Sequence, residues 1–160
     1  MFVIRKLEET EQSFLLKMLY ESLYLEEENK PAMEQLLNTD SLKKYYKDWG
    51  RKGDKALIAV DHQGIFYGAV WCRLFSKENP GYGFVNEHTP ELGIAIEKEY
   101  RGKGLGTKLM DAMIEEVKNS GFEALSLSVD ARNGNAIRLY DKIGFLQVDR
   151  DETSLIMLYK

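Results

Sequence analysis

Apolar positions along the chain change their spacing several times, and each change predicts an element. Phe2–Leu7 mixes Val3 and Ile4 with basic neighbours, as an edge strand does. Over residues 10–24 the spacing becomes helical: Phe14, Leu15, Met18, Leu19 and Leu23 form one stripe, with Glu11, Lys17 and Glu21 off it. The run "LEEENKP" breaks that pattern, and Pro31 suits the first turn of a short helix carrying Met33, Leu36 and Leu37. Asp40 or Ser41 suits the cap of another helix, running to Trp49 and stopped by Gly50.

From Lys55 onward strand patterns take over. "KALIAVD" and "GIFYGAVWCRLF" flank "DHQG", whose Asp, His and Gly suit a hairpin turn. "NPGYG" is loop chemistry, and "ELGIAIE" reads as a further strand. Residues 104–119 predict a helix with Leu109, Met110, Met113, Ile114 and Val117 on one face; Lys108, Asp111, Glu115 and Lys118 lie away from it. Gly121 ends that helix, and "EALSLSV" alternates cleanly as a strand. "NGNAIRLYDKIG" predicts a short helix with Asn at its start and Gly at its end, and "FLQVDR" and "SLIMLYK" predict the last strands. The order is mixed α/β with a strand–helix–strand unit at 91–129, without internal repeats or linkers.

Composition narrows the class. A chain of 160 residues is one domain's worth, read as a single domain over 1–160, and 44% hydrophobic with 30% charged residues describes a globular chain. The net charge of −4 argues against nucleic acid as the main partner. Cys72 stands alone, so no intrachain disulfide or cysteine-based zinc cluster can form. The start "MFVIRKLEE" lacks the apolar stretch of a signal peptide, and the longest nearly apolar run, Gly64 to Cys72, is too short to span a membrane. These features predict a cytoplasmic protein with no membrane partner.

The chemistry concentrates in "EYRGKGLGTKL", residues 99–109, where glycines alternate just ahead of the long helix. Free amides at a helix N-terminus favour phosphate oxygens, and missing Cβ atoms permit close approach. The nucleotide P-loop is excluded by spelling, because five residues beyond Gly102 stands Thr107. The dinucleotide fingerprint is excluded because Thr107 and Leu109 occupy its third-glycine positions. An ordinary glycine turn remains the alternative.

Two motifs in order give the stretch a context. "YRGKGLG" after "ELGIAI", followed by "NGNAIRLYDKIGF", resembles the GNAT superfamily of N-acetyltransferases. The family's pyrophosphate pattern, Gln/Arg-x-x-Gly-x-Gly/Ala, is matched by Arg101, Gly104 and Gly106. Its later pattern is matched by Asn133, Ala136, Tyr140, Gly144 and Phe145. The resemblance covers residues 88–147; the N-terminal part agrees only in element order. It implies a mixed, mostly antiparallel sheet of about six or seven strands flanked by about four helices, with two central parallel strands splayed apart. It also implies acetyl-CoA as donor; no metal is expected. The pyrophosphate would sit on the amides of residues 101–107, which include Arg101, Gly102, Lys103, Gly104, Gly106 and Thr107. Ile94 and Ile96 would bond the pantetheine arm through their backbones, and Asn133 would contact CoA, cap its helix, or do both.

The same resemblance assigns catalytic roles. An alkylamine with a pKa near 10 must lose a proton before it attacks a thioester, an oxyanion then develops, and the departing thiolate needs a proton donor. Tyr140 is the implied acid, with core packing as its other reading. Glu91, ten residues before Arg101, is the implied base, with an exposed strand-end carboxylate as its other reading. His88 is the rival base, and His62 is expected to be exposed in the hairpin turn. Glu21, Glu26, Glu27 and Glu28, with Tyr20, Tyr24 and Tyr45, are expected to wall an acceptor site suited to a cationic amine, or else to be a solvated face. The acceptor is a small-molecule or peptide amine that these residues do not name, and a homodimer stays open. A non-catalytic acyl-CoA-binding sensor on the same fold is the alternative.

Overall fold

The computed structural model describes residues 1–160. β1 (Phe2–Lys6) leads through a single 3-10 turn into α1 (Gln12–Glu21), followed by two short helices, α2 (Met33–Leu37) and α3 (Asp40–Lys43). β2 (Lys55–Asp61) and β3 (Phe66–Arg73) form a hairpin, and a long loop reaches β4 (Glu91–Ile96). Then come α4 (Leu105–Asn119), β5 (Leu125–Asp130), α5 (Gly134–Ile143), β6 (Leu146–Arg150) and β7 (Ser154–Tyr159). The strands form one seven-stranded sheet in the order β1-β2-β3-β4-β5-β7-β6, antiparallel throughout except at β4–β5.

Strand alternation divides the core between the two faces. Leu57, Val70, Leu92 and Leu127 belong to the cluster that includes Leu109, Met110 and Met113 of α4. Ile58, Ala69, Trp71 and Ala95 pack against Phe14, Leu15 and Met18 of α1. Leu23, expected on the α1 stripe, lies beyond that helix's end at Glu21 and is only half-buried.

The helix expected to run from Asp40 to Trp49 stops at Lys43. Beyond it the bonds tighten, with Tyr45 N donating to Leu42 O and Tyr46 N to Lys43 O. The carbonyls of Lys44 and Lys47 instead accept from Nη1 of Arg73, at 3.0 and 2.7 Å. Asp48 then turns the chain at φ 55°. A long-range partner, invisible in local spacing, ends this helix.

The parallel pair opens early. Ser126 N donates to Pro90 O at 3.0 Å, and Glu91 opposite Ser126 is the only β4–β5 register pair. Glu97 N donates to Tyr67 O, so odd-numbered β4 residues point their backbone groups at β3. Ile94 and Ile96 therefore turn theirs toward the gap.

Candidate functional site

The glycine turn has the geometry of an anion cradle. Gly102 and Gly104 adopt φ of 77° and 81°, in the left-handed region, and a Cβ on either would meet nothing within 4 Å. The amides of residues 102–107 donate to no acceptor in the protein, and they open the 15-residue α4 at its positive end. Gly106 has a different reason to lack a side chain. Its Cβ would lie 3.2 Å from Leu139 Cδ2 and 3.5 Å from Ile96 Cδ1, so glycine lets α4 approach α5 and β4. Thr107 is half-buried in the first turn of α4, and Lys103 is exposed with Nζ 6.0 Å from the Tyr100 ring centroid. Arg101 donates through Nε to Ile96 O at 2.9 Å, tying the turn to the end of β4 and using one lone pair of that carbonyl.

A cavity of about 850 Å³ starts beside this turn, at Arg101, and passes through the gap between β4 and β5. Arg101, Asn133 and Arg138 line its first half, Ile94, Ile96 and Tyr140 its middle, and Glu91, Tyr45 and Trp71 its far half. Asn133 Oδ1 accepts from Ala136 N at 3.3 Å, so the asparagine does cap α5 while lining the cavity. Tyr140 packs against Phe145 in the α4-side core, and its hydroxyl makes no hydrogen bond to the protein. Burial pushes its phenol up to about 12.

Glu91 belongs to the opposite face of the sheet, and it is buried rather than exposed. Its Oε2 accepts from Tyr45 Oη at 2.5 Å and its Oε1 from Gly83 N at 2.9 Å. Loss of solvent around the carboxyl is the main influence and raises it from 4.5 to about 7, against the lowering effects of those two bonds and of Lys44. Gly81 lies so close that a Cβ there would stand 2.3 Å from Glu91 Oε1, so this loop position needs glycine. Ser126, across from Glu91, keeps a buried hydroxyl without a partner.

Other expected residues divide. Glu21, Tyr24 and Tyr45 line the cavity, whereas Tyr20 and Glu26–Glu28 do not. Tyr20 is committed elsewhere, donating to Pro31 O at 2.6 Å beneath Lys30. Glu27 and Glu28 sit on an exposed 3-10 turn. His88 is exposed and lines a separate cavity beside Gly121 and Lys160, away from Glu91. His62 is exposed in the hairpin turn.

The frame behind Glu91 is not legible in the sequence. Arg73, directly opposite it on β3, is 1% exposed and forms two bonds to Asp54, 2.9 and 2.7 Å long. The indole of Trp71 lies over Gly93, where a Cβ would come within 2.7 Å of it. An arginine closing the otherwise apolar strand Phe66–Arg73 was the available signal. No group of three or more His, Cys, Asp or Glu side chains is placed to hold a metal ion, and no helix is long and apolar enough to cross a membrane.

The chain is similar to several known proteins. A mycothiol acetyltransferase from Paenarthrobacter aurescens (strain TC1) is 32% identical over 99 residues, covering 59% of this chain and 28% of that protein. N-alpha-acetyltransferase 30 of Schizosaccharomyces pombe is 39% identical over 95 residues, covering 59% of each. The chain thus spans between about a quarter and three-fifths of the length of these relatives. The structure of yncA from Salmonella typhimurium, solved with its cofactor acetyl-CoA, shares the fold at a TM-score of 0.70 and 18% identity, covering 100% of this chain and 94% of that one. The model of the acetyltransferase (GNAT) family matches residues 17–145. The chain belongs to that family.

Proposed function

We propose that this chain transfers an acetyl group from acetyl-CoA to a primary amine, with donor and acceptor held together in the one cavity. The observation that carries this reading is the continuity of that cavity, from Arg101, next to the free amides of residues 102–107, through the β4–β5 gap to Glu91. The first half fits CoA. Unpartnered amides at the start of α4 suit the pyrophosphate, and the backbone of Ile94 suits an extended arm that replaces the missing strand. Gly102 and Gly104 leave room, and Asn133 and Arg138 line the wall. Bound there, acetyl-CoA supplies the activated acyl group.

The residues around the reacting atoms then have separate tasks. Glu91, raised to about 7, is ionised in a substantial fraction near neutrality and is a better match to an amine than an ordinary carboxylate. It takes the ammonium proton, directly or through a water. The Ile94 amide, turned into the gap, is the backbone donor available to developing negative charge. Tyr140 brings the only phenol in the middle of the cavity. Raised to about 12, it stays protonated and offers its hydrogen to the departing sulfur. The acceptor is a small-molecule or peptide amine.

The test is a panel of amines and short peptides assayed for CoA thiol release and for the acetylated product. At least one amine should give both in equal amounts. CoA binding without turnover of any amine would leave the acyl-CoA-binding sensor. With the best amine, Tyr140→Phe should lower kcat by about 10²-fold and leave CoA affinity unchanged; equal losses in rate and affinity would make Tyr140 a packing residue.

A further inference from the structure

We infer that Tyr45 is a positioning residue for Glu91: its hydroxyl aims the carboxylate into the cavity and holds that carboxylate in its basic form. The inference rests on the acetyl-transfer reading above for its consequence in catalysis, but not for its geometry. Tyr45 Oη donates to Glu91 Oε2 at 2.5 Å and accepts from Tyr82 N at 2.7 Å, so its one hydrogen is committed to the carboxylate. Gly83 N takes the other carboxylate oxygen at 2.9 Å. The carboxyl therefore meets two donors and has no freedom to rotate away.

The tyrosine is itself held from behind. The turn after α3 is fixed by Arg73, whose Nη1 takes the carbonyls of Lys44 and Lys47 on either side of it. Lys44 Nζ closes the opposite loop by donating to Pro80 O at 2.5 Å. The Tyr45 ring packs edge-on against Phe75 and parallel to Tyr82, with centroids 4.9 and 6.2 Å away. These contacts come from three separate segments, and all of them converge on one phenol.

The charged and titratable groups facing Glu91 are few. Tyr45 and Lys44 come from the turn after α3, Tyr82 from the loop above, and Arg73 from β3; Ser126 of β5 adds a neutral hydroxyl. Arg73 is engaged by Asp54 through both Nε and Nη2. Tyr45 is thus the one side chain that bonds directly to the Glu91 carboxylate. A hydrogen bond to the ionised form favours it, so removing the phenol must make Glu91 harder to deprotonate.

Tyr45→Phe deletes that bond and keeps the ring. The acidic limb of kcat/KM should move to higher pH by about one pH unit, which is a loss of about tenfold at pH values below the limb and little loss on the alkaline plateau. Direct titration of the Glu91 carboxyl by carbon NMR, in wild type and in Tyr45→Phe, should show the same upward movement without any substrate present. Replacing Tyr45 with 3-fluorotyrosine, a stronger donor of the same shape, should move both readouts the other way. An unmoved carboxyl titration in Tyr45→Phe, or an equal loss of rate at every pH, overturns the inference. If the NMR titration moves while no amine is acetylated, the positioning role stands and the acetyl-transfer reading fails.

Discussion

The two halves of the cavity are built by different means. The half that starts at residue 101 is made of backbone: left-handed glycines, unpartnered amides of α4, and the exposed edge of β4. Its backbone parts lie within a short span of chain, and Asn133 and Arg138 at α5 join them. The half around Glu91 is made of side chains drawn from distant positions, with Tyr45 forty-six residues from Glu91 and Arg73 nineteen from Asp54. A backbone site tolerates change outside its glycines. A site of converging side chains depends on each anchor behind it. Substitutions on one side should therefore spare the other.

The largest effect is expected from Arg73→Ala. It leaves Asp54 buried without its partner, which costs about 3–5 kcal/mol, and it frees the turn that carries Tyr45. Denaturant unfolding should register that cost and acetylation should fall, while CoA affinity of the folded fraction stays near wild type. A parallel loss of CoA affinity would mean that the two halves are not independent.

Glu91→Gln probes the same half through stability. The native carboxyl holds its proton up to about pH 7, against 4.5 for an ordinary glutamate. The folded state therefore binds more protons than the unfolded state between those values, and wild type loses stability as pH rises through that window. Glutamine has no such loss. The variant should gain on wild type by roughly 3 kcal/mol from pH 4.5 to pH 7 and hold that gap above it. Thermal unfolding across this range checks the result, and a constant gap would place Glu91 in a wetter site than the structure gives it.

On the backbone side, Gly104→Val should abolish the stabilisation that CoA confers, which is about 2.7 kcal/mol for wild type at a hundredfold excess over Kd. Its control is Gly64→Val. Gly64 has φ of 82° against 81° for Gly104, and neither has an atom within 4 Å of a built Cβ. Both variants carry the same left-handed strain, about 1–2 kcal/mol, but only one should lose the CoA response. The smallest effect is Asn133→Ala. Loss of the α5 cap should cost about 1 kcal/mol, and a weaker CoA response in addition would give Asn133 both of its roles.

What could be read in advance follows the same division. The glycine spacing, the α4 stripe and the order of strands are local, and the structure repeats them to within one or two residues. The gap at Ile94 came from the family resemblance and is present. Burial of Glu91 was not legible, because the loop at Gly81 and Gly83 covers it only once Tyr45 is in place. The same gap explains the misplaced end of α3, where an arginine from β3 captures the carbonyls. Acidic residues 26–28 formed a sequence cluster, yet they lie outside the cavity. Single residues from several elements form the wall instead.

In the proposed mechanism donor and acceptor occupy the two halves of one cavity at the same time. Initial rates measured with acetyl-CoA and the best amine both varied test it most directly. Lines that converge in the double-reciprocal plot, with no acetyl group left on the protein in the absence of amine, are the predicted result. Parallel lines, or an acetylated protein formed from acetyl-CoA alone, would contradict it.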